Sequence, residues 1–157
     1  MDPRTTMSEH TPEKPRFPDQ FRVERSSQSL TITFPSLLRY TSPIVDLSES
    51  FFEEHGALSP FSPSVVLREM LTNAIKHGNK QVPERMVTVK IESLKKMRFK
   101  ISVHDEGDGF NYRALSSKAP ENPRGREKRG YYLINYLSDK VEFNVQGNGI
   151  TAFVTAK

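Results

Sequence analysis

The sequence predicts an α+β two-layer sandwich, with a mixed, mostly antiparallel sheet and helices on one face. Two observations carry this. Five segments alternate apolar and polar residues, at 29–34, 86–93, 97–105, 141–146 and 150–156, as half-buried strands do. Three others, at 36–55, 63–77 and 131–139, space apolar residues at helical intervals. The order β-α-α-β-β-loop-α-β-β joins neighbouring strands by short turns, which favours antiparallel pairs.

Composition sets the outer limits. The chain has 157 residues, 35% of them hydrophobic, enough for one core. No apolar run approaches the ~20 residues of a membrane span. The opening MDPRTTMSEHTPEKP has no apolar signal region, and the absence of cysteine excludes disulfides, thiolate metal sites and cysteine nucleophiles. A cytoplasmic protein with no membrane contact is expected. The net charge is +4. Residues 111–130 carry six basic residues (Arg113, Lys118, Arg124, Arg126, Lys128 and Arg129) against Glu121 and Glu127. One local loop thus equals the whole excess, a pattern that suits an anion or an acidic partner better than a general nucleic-acid surface. Charge runs of this kind also occur as plain solvated loops.

Taken in order, residues 1–28 are polar, Pro-bearing and aperiodic, and are expected to be a disordered or loosely held tail ahead of a domain at 29–157. SLTITF (29–34) turns Leu30, Ile32 and Phe34 to one side. The helix at 36–55 presents Ile44, Val45, Leu47, Phe51 and Phe52, with Ser42-Pro43 expected to kink it or to restart it with Ser42 as cap. Ser62-Pro63 reads as cap and first residue of the helix 63–77, and Gly78-Asn79 as its left-handed cap. Leu94-Lys95-Lys96 joins two strands as a hairpin. Residues 106–129 form a loop of a length usually reserved for lids or disorder. Tyr131, Tyr132 and Tyr136 in the next helix read as packing residues with polar tips outward. Gly147-Asn148-Gly149 turns the last hairpin.

The chemistry concentrates on the helix 63–77. Val66, Leu67, Met70, Leu71, Ala74 and Ile75 fill one half of its wheel; Glu69, Asn73 and His77 follow one another by single turns along the border. An Asn oxygen is a fair ligand for Mg²⁺, and a Glu one turn away can take a proton from an attacking hydroxyl. By itself E-x-x-x-N also describes an ordinary amphipathic helix with both groups solvated. Asp105-Glu106-Gly107-Asp108-Gly109 follows directly on a strand. An acidic group there can accept from an exocyclic amine, and two glycines let backbone approach a flat ring; a plain turn would read the same way. Calcium is disfavoured, since oxygen-bearing residues do not recur at EF-hand spacing. His104, in a strand beside Asp105, reads as a packing or hydrogen-bonded residue instead of a catalytic one. His10 and His55 have no evident partners, and no Ser/His/Asp set has triad spacing.

Glu69-x-x-x-Asn73, then Asp105-x-Gly107-x-Gly109, then a loop ending at Gly130 before a helix, resembles the GHKL (HATPase_c) nucleotide-binding superfamily and its Bergerat fold. REMLTNAIKHGNK and RGYYLINYLSDKVEFN look like the compact anti-sigma serine kinases of the RsbW and SpoIIAB type. The resemblance spans about residues 28–157. It implies ATP and Mg²⁺ as cofactors, with Asn73 holding the metal and Glu69 as base for a serine hydroxyl. Asp105 would take the adenine amine beside Gly107 and Gly109, with Thr151 nearby and His77 closing the first motif. Arg126 would reach the terminal phosphate, and Lys128, Arg129 and Gly130 would meet the phosphates. Lys128 stands where family members carry the first glycine of Gly-x-Gly, supplying charge instead of a tight backbone approach. The implied function is an ATP-dependent serine-protein kinase acting as an anti-sigma factor. It would bind a sigma factor and phosphorylate a small antagonist (anti-anti-sigma) protein, with homodimer formation through the sheet region and no direct nucleic-acid contact. The alternative is a non-catalytic ATP/ADP switch that controls a protein partner.

Overall fold

A computed structural model describes residues 20–109 and 126–157, with side chains from Arg129 onward in the second segment. In chain order it has β1 (Arg22–Arg25), β2 (Ser29–Pro35), a 3-10 turn (Leu38–Tyr40), α1 (Thr41–Glu54) and α2 (Phe61–Asn73). A π turn (Ala74–Gly78) extends α2, and β3 (Met86–Ser93), β4 (Arg98–His104), α3 (Arg126–Leu137), β5 (Lys140–Phe143) and β6 (Gly149–Thr155) follow. The strands form one sheet in the order β1-β2-β3-β4-β6-β5, and every pairing is antiparallel.

Register explains the core. Leu30, Ile91, Ile101, Ala152 and Val141 face one another across five strands, and the first four are fully or almost fully buried. A second row runs Ile32, Val89, Val103, Ile150 and Phe143. Because side chains alternate with period two, both rows share the face that the helices cover. Phe51 and Phe52 of α1 meet Phe99 of β4 edge-on, with ring centroids 6.4 and 4.8 Å apart. The opposite face carries Thr33, Lys90, Lys100, Ser102 and Thr151, as the polar half of each alternation requires. Among the described residues no helix is long and apolar enough to cross a membrane.

Four expectations change. The sheet begins inside the segment read as a tail: β1 pairs with β2 from Arg22↔Thr33 to Arg25↔Leu30. All four β1 residues are exposed, so this edge strand has no apolar alternation to announce it. Phe21 anchors it, 5.5 Å from the Tyr40 ring and 6.3 Å from Phe34. Residues 1–19 lie outside the described residues. Secondly, Pro43 and Pro63 sit at the third helical position, with Tyr40 and Pro60 in the cap positions instead of serines. The first turn has spare N–H groups at several positions, so a proline fits any of them. Thirdly, α2 ends not in a left-handed glycine but in a π turn closed by Asn79 N donating to Ala74 O at 2.8 Å. The positive φ angles fall later, at Lys80 and Gln81. Lastly, α3 starts at Arg126, five residues before the apolar pattern does. Of the loop 106–129, residues 110–125 lie outside the described residues.

Candidate nucleotide site

The second apolar row ends in a cavity of about 380 Å³ between the sheet and the helices. Val103, Ile150 and Phe143 form its sheet side, Met70, Asn73, Ala74 and His77 come from α2 and its π turn, and Tyr131 comes from α3. Asp105 and the hairpin residues 147–149 close the end beyond β4. An apolar slot with few polar groups at its edges is the usual form of a small-molecule site.

Asp105 is held from both sides. Its backbone N–H donates to Asn148 O at 3.0 Å, and its Oδ1 accepts from Gly107 N–H at 2.8 Å. Burial pushes its carboxyl above the ordinary carboxylate value, opposed by the Gly107 bond and by His104 and Arg85 nearby. The carboxylate lies directly against Gly78, where a Cβ would overlap it. The two glycines of the acidic loop serve the protein's own packing. A Cβ at Gly107 would overlap the Gly78 carbonyl, and Gly109 has φ +85 and presses on the Gln146 carbonyl. They let three stretches of backbone meet, a different reason from approach to a ligand ring.

Asn144 arranges the hairpin that meets this loop. Its Oδ1 accepts from the backbone N–H groups of Gly147, Asn148 and Gly149 at 2.8, 3.1 and 3.1 Å. Its amide donates to Asn148 Oδ1 at 2.7 Å.

At the other end, Glu69 and Asn73 point toward one place. A Cβ on Gly130 would lie 2.6 Å from Glu69 Oε2 and 3.9 Å from Asn73 Oδ1, so both oxygens flank the spot that this glycine leaves open. Burial raises the Glu69 carboxyl above the ordinary glutamate value, and the charges of Arg129 and Arg68 oppose this. A half-buried carboxylate whose charged form two arginines favour is a proton acceptor held within reach of cationic charge.

The structure thus brings Asn73, His77 and Asp105 into one cavity, with Glu69 and Gly130 at its rim. Thr151 is not there. It pairs with Ser102 and Glu142, and its hydroxyl lies 3.0 Å from Ser102 Oγ on the face away from the helices. Its neighbour Ile150 takes the cavity position because strand side chains alternate. Arg129 is exposed in α3 beside Gly130, while the side chains of Arg126 and Lys128 lie outside the described residues. Sequence reading missed Tyr131 and Phe143, whose rings lie 5.9 Å apart at the cavity wall. Tyr131 directly follows Gly130, and that adjacency is the one signal that places it at the site.

The family model of the histidine kinase-like ATPase domain matches residues 35–153. Among solved structures, the chain is similar to the histidine kinase domain of the blue-light activated histidine kinase from Erythrobacter litoralis EL346. Identity is 18%, the TM-score is 0.44, and the match covers 78% of this chain and 61% of that one. The chain therefore spans about three fifths of that kinase domain. It matches no curated protein sequence. A family model that matches most of the chain, on a fold whose cavity holds Asn73, His77 and Asp105, decides the affiliation: the protein belongs to the histidine kinase-like ATPase domain family, whose members are ATP-binding, kinase-like units.

Proposed function

We propose that the domain binds ATP with Mg²⁺ and transfers the terminal phosphoryl group to a serine of a small antagonist protein, while restraining a sigma factor as an anti-sigma factor. The observation that carries the chemistry is the convergence of Glu69 Oε2 and Asn73 Oδ1 on one point at the cavity rim. The choice of a serine acceptor and of a sigma factor rests on the likeness of REMLTNAIKHGNK and RGYYLINYLSDKVEFN to the RsbW and SpoIIAB type.

The donor set suits the metal. Among the described residues no group of three His, Cys, Asp or Glu is placed to hold an ion, and what they offer at the site is the Asn73 amide. A single amide oxygen at Asn73 fits Mg²⁺, which keeps several waters and takes phosphate oxygens for the rest. When bound, the ion supplies charge neutralisation to the phosphates.

The chain's own residues do the remaining work. Asp105 accepts from the exocyclic amine of the base, and Val103, Ile150, Tyr131 and Phe143 exclude water around the ring. Glu69 takes the serine hydroxyl proton as the serine oxygen bonds to phosphorus; the bond from that phosphorus to the bridging oxygen breaks, and ADP leaves with the electron pair. A carboxyl raised by burial is a stronger base than an exposed one, and so better matched to this task.

Titration with MgATP tests the first half and γ-labelled ATP the second. With proteins encoded by neighbouring reading frames as acceptors, phosphoserine is the expected product, and Glu69→Ala should abolish it while sparing nucleotide binding. Absence of heat with MgATP at millimolar concentration would refute the whole reading. A second reading, a non-catalytic ATP/ADP switch, is favoured by the α3 backbone seated on Glu69 at Gly130 and by Lys128 in place of a glycine. Binding without transfer would select it.

A further inference from the structure

Asn79 is fully buried and lies just outside the cavity. Its Nδ2 donates to Ser36 Oγ at 2.6 Å and to Met86 O at 2.9 Å. Its Oδ1 accepts from Glu106 N–H at 2.7 Å. A backbone N–H can only donate and a carbonyl can only accept, so the amide has one orientation. Ser36 Oγ in turn donates to Arg85 O at 2.7 Å, leaving its lone pairs to receive Asn79. Three elements are joined at one side chain: the end of β2, the start of β3, and the acidic loop after β4.

The bond to Glu106 matters most, because that N–H belongs to the peptide group attached to Asp105 Cα. The peptide group on the other side of Asp105 is held by Asn148 O at 3.0 Å. With both flanking peptide planes fixed, the direction of the Asp105 Cα–Cβ bond is fixed, and the Gly107 N–H bond to Oδ1 holds the carboxylate at its end. Glu106 adds a second tether, its Oε2 accepting from Met86 N–H at 3.1 Å. Asn79 also directly follows Gly78, against which the Asp105 carboxylate lies.

We infer that Asn79 is a positioning residue for purine recognition: through the Glu106 N–H it aims the Asp105 carboxylate at the exocyclic amine of the bound base. This rests on the reading of the cavity as an adenine-nucleotide site, and it goes further by assigning base discrimination to a side chain that does not touch the ligand. A purely structural Asn79 would lower stability and weaken all nucleotides alike. A positioning Asn79 governs the ratio of affinities for purines with and without the amine, since a misplaced acceptor loses the amine bond but not the contacts to ring and phosphates.

The test measures dissociation constants for ATP and for ITP, which has a carbonyl oxygen in place of the amine, in the full chain. Wild type should favour ATP by about tenfold or more. Asn79→Ala should lower that preference at least about fivefold, chiefly through weaker ATP binding. Glu106→Ala, at an exposed position, keeps the fold and should lower it about two- to threefold. Ile44→Val, a core change in α1 remote from the loop, should lower the melting temperature and leave the preference unaltered. A preference equal to wild type in Asn79→Ala overturns the inference. If that variant does not fold, Asn79→Ser, whose shorter side chain gives up the bond from the Glu106 N–H, is read in its place, and an unchanged preference there overturns the inference. Absence of ATP binding to the wild-type chain would instead refute the nucleotide reading itself, a distinct outcome.

Discussion

Gly130→Ala should push stability and catalysis in opposite directions. Gly130 is buried within α3, and replacing a helical glycine by alanine ordinarily stabilises by about 0.5–1 kcal/mol. The new Cβ would stand 2.6 Å from Glu69 Oε2, against about 3.4 Å for ordinary contact. The carboxyl must therefore withdraw by about 0.8 Å, the difference between those distances. It is the end of a flexible side chain, so it turns aside and the helix stays put. Asn73 Oδ1, at 3.9 Å, is undisturbed. A shift of about 1 Å in a reacting group can lower a rate by ~10²-fold. Expected are a melting temperature unchanged or raised by ~1–4 °C, nucleotide binding within about threefold of wild type, and phosphoryl transfer reduced by about 10- to 100-fold. Thermal denaturation, MgATP titration and labelled-ATP transfer measure the three. Transfer within twofold of wild type would refute the assignment of Glu69 as base, and a lower melting temperature would refute the packing argument.

Three further outcomes follow from the same geometry. Asp105→Asn keeps an oxygen for the Gly107 N–H bond but cannot carry the charge that burial disfavours. Since the folded-state carboxyl lies above its ordinary value of 3.8, Asp105 contributes stability below that value and loses it as pH rises through the folded-state value. The variant should therefore melt above wild type at neutral pH, with the gap closing as pH falls toward 3.8, while its ATP preference disappears; denaturation curves across pH give the sign. Tyr131→Leu removes an aromatic ring from the cavity wall and should weaken ATP and ADP equally, by about tenfold, as loss of ~1–3 kcal/mol of base–ring stacking implies. Inorganic tripolyphosphate, which has no base, should compete as before. Gly109→Ala combines φ +85 with overlap on the Gln146 carbonyl and should destabilise by at least about 1–2 kcal/mol, read by chemical denaturation.

Sequence and structure divide this protein along a physical line. Where a residue's task repeats along the chain, it was legible: alternation placed β2, β3, β4 and β6 within a residue or two, and helical spacing put Glu69 and Asn73 together at a border. Asp105 was legible through its place at a strand end. Features that depend on who lies opposite were not. β1 buries no side chain, so its pairing leaves no pattern in RVER. Thr151 and Ile150 are adjacent, and only the register against Val103 and Ser102 decides which of them faces the cavity. Asn79 looked like part of a helix stop, because three hydrogen-bond partners from three separate segments converge on it only after folding. Local periodicity is written by the chain's own geometry, whereas partners distant in sequence are brought together by the packing of the whole sheet against its helices.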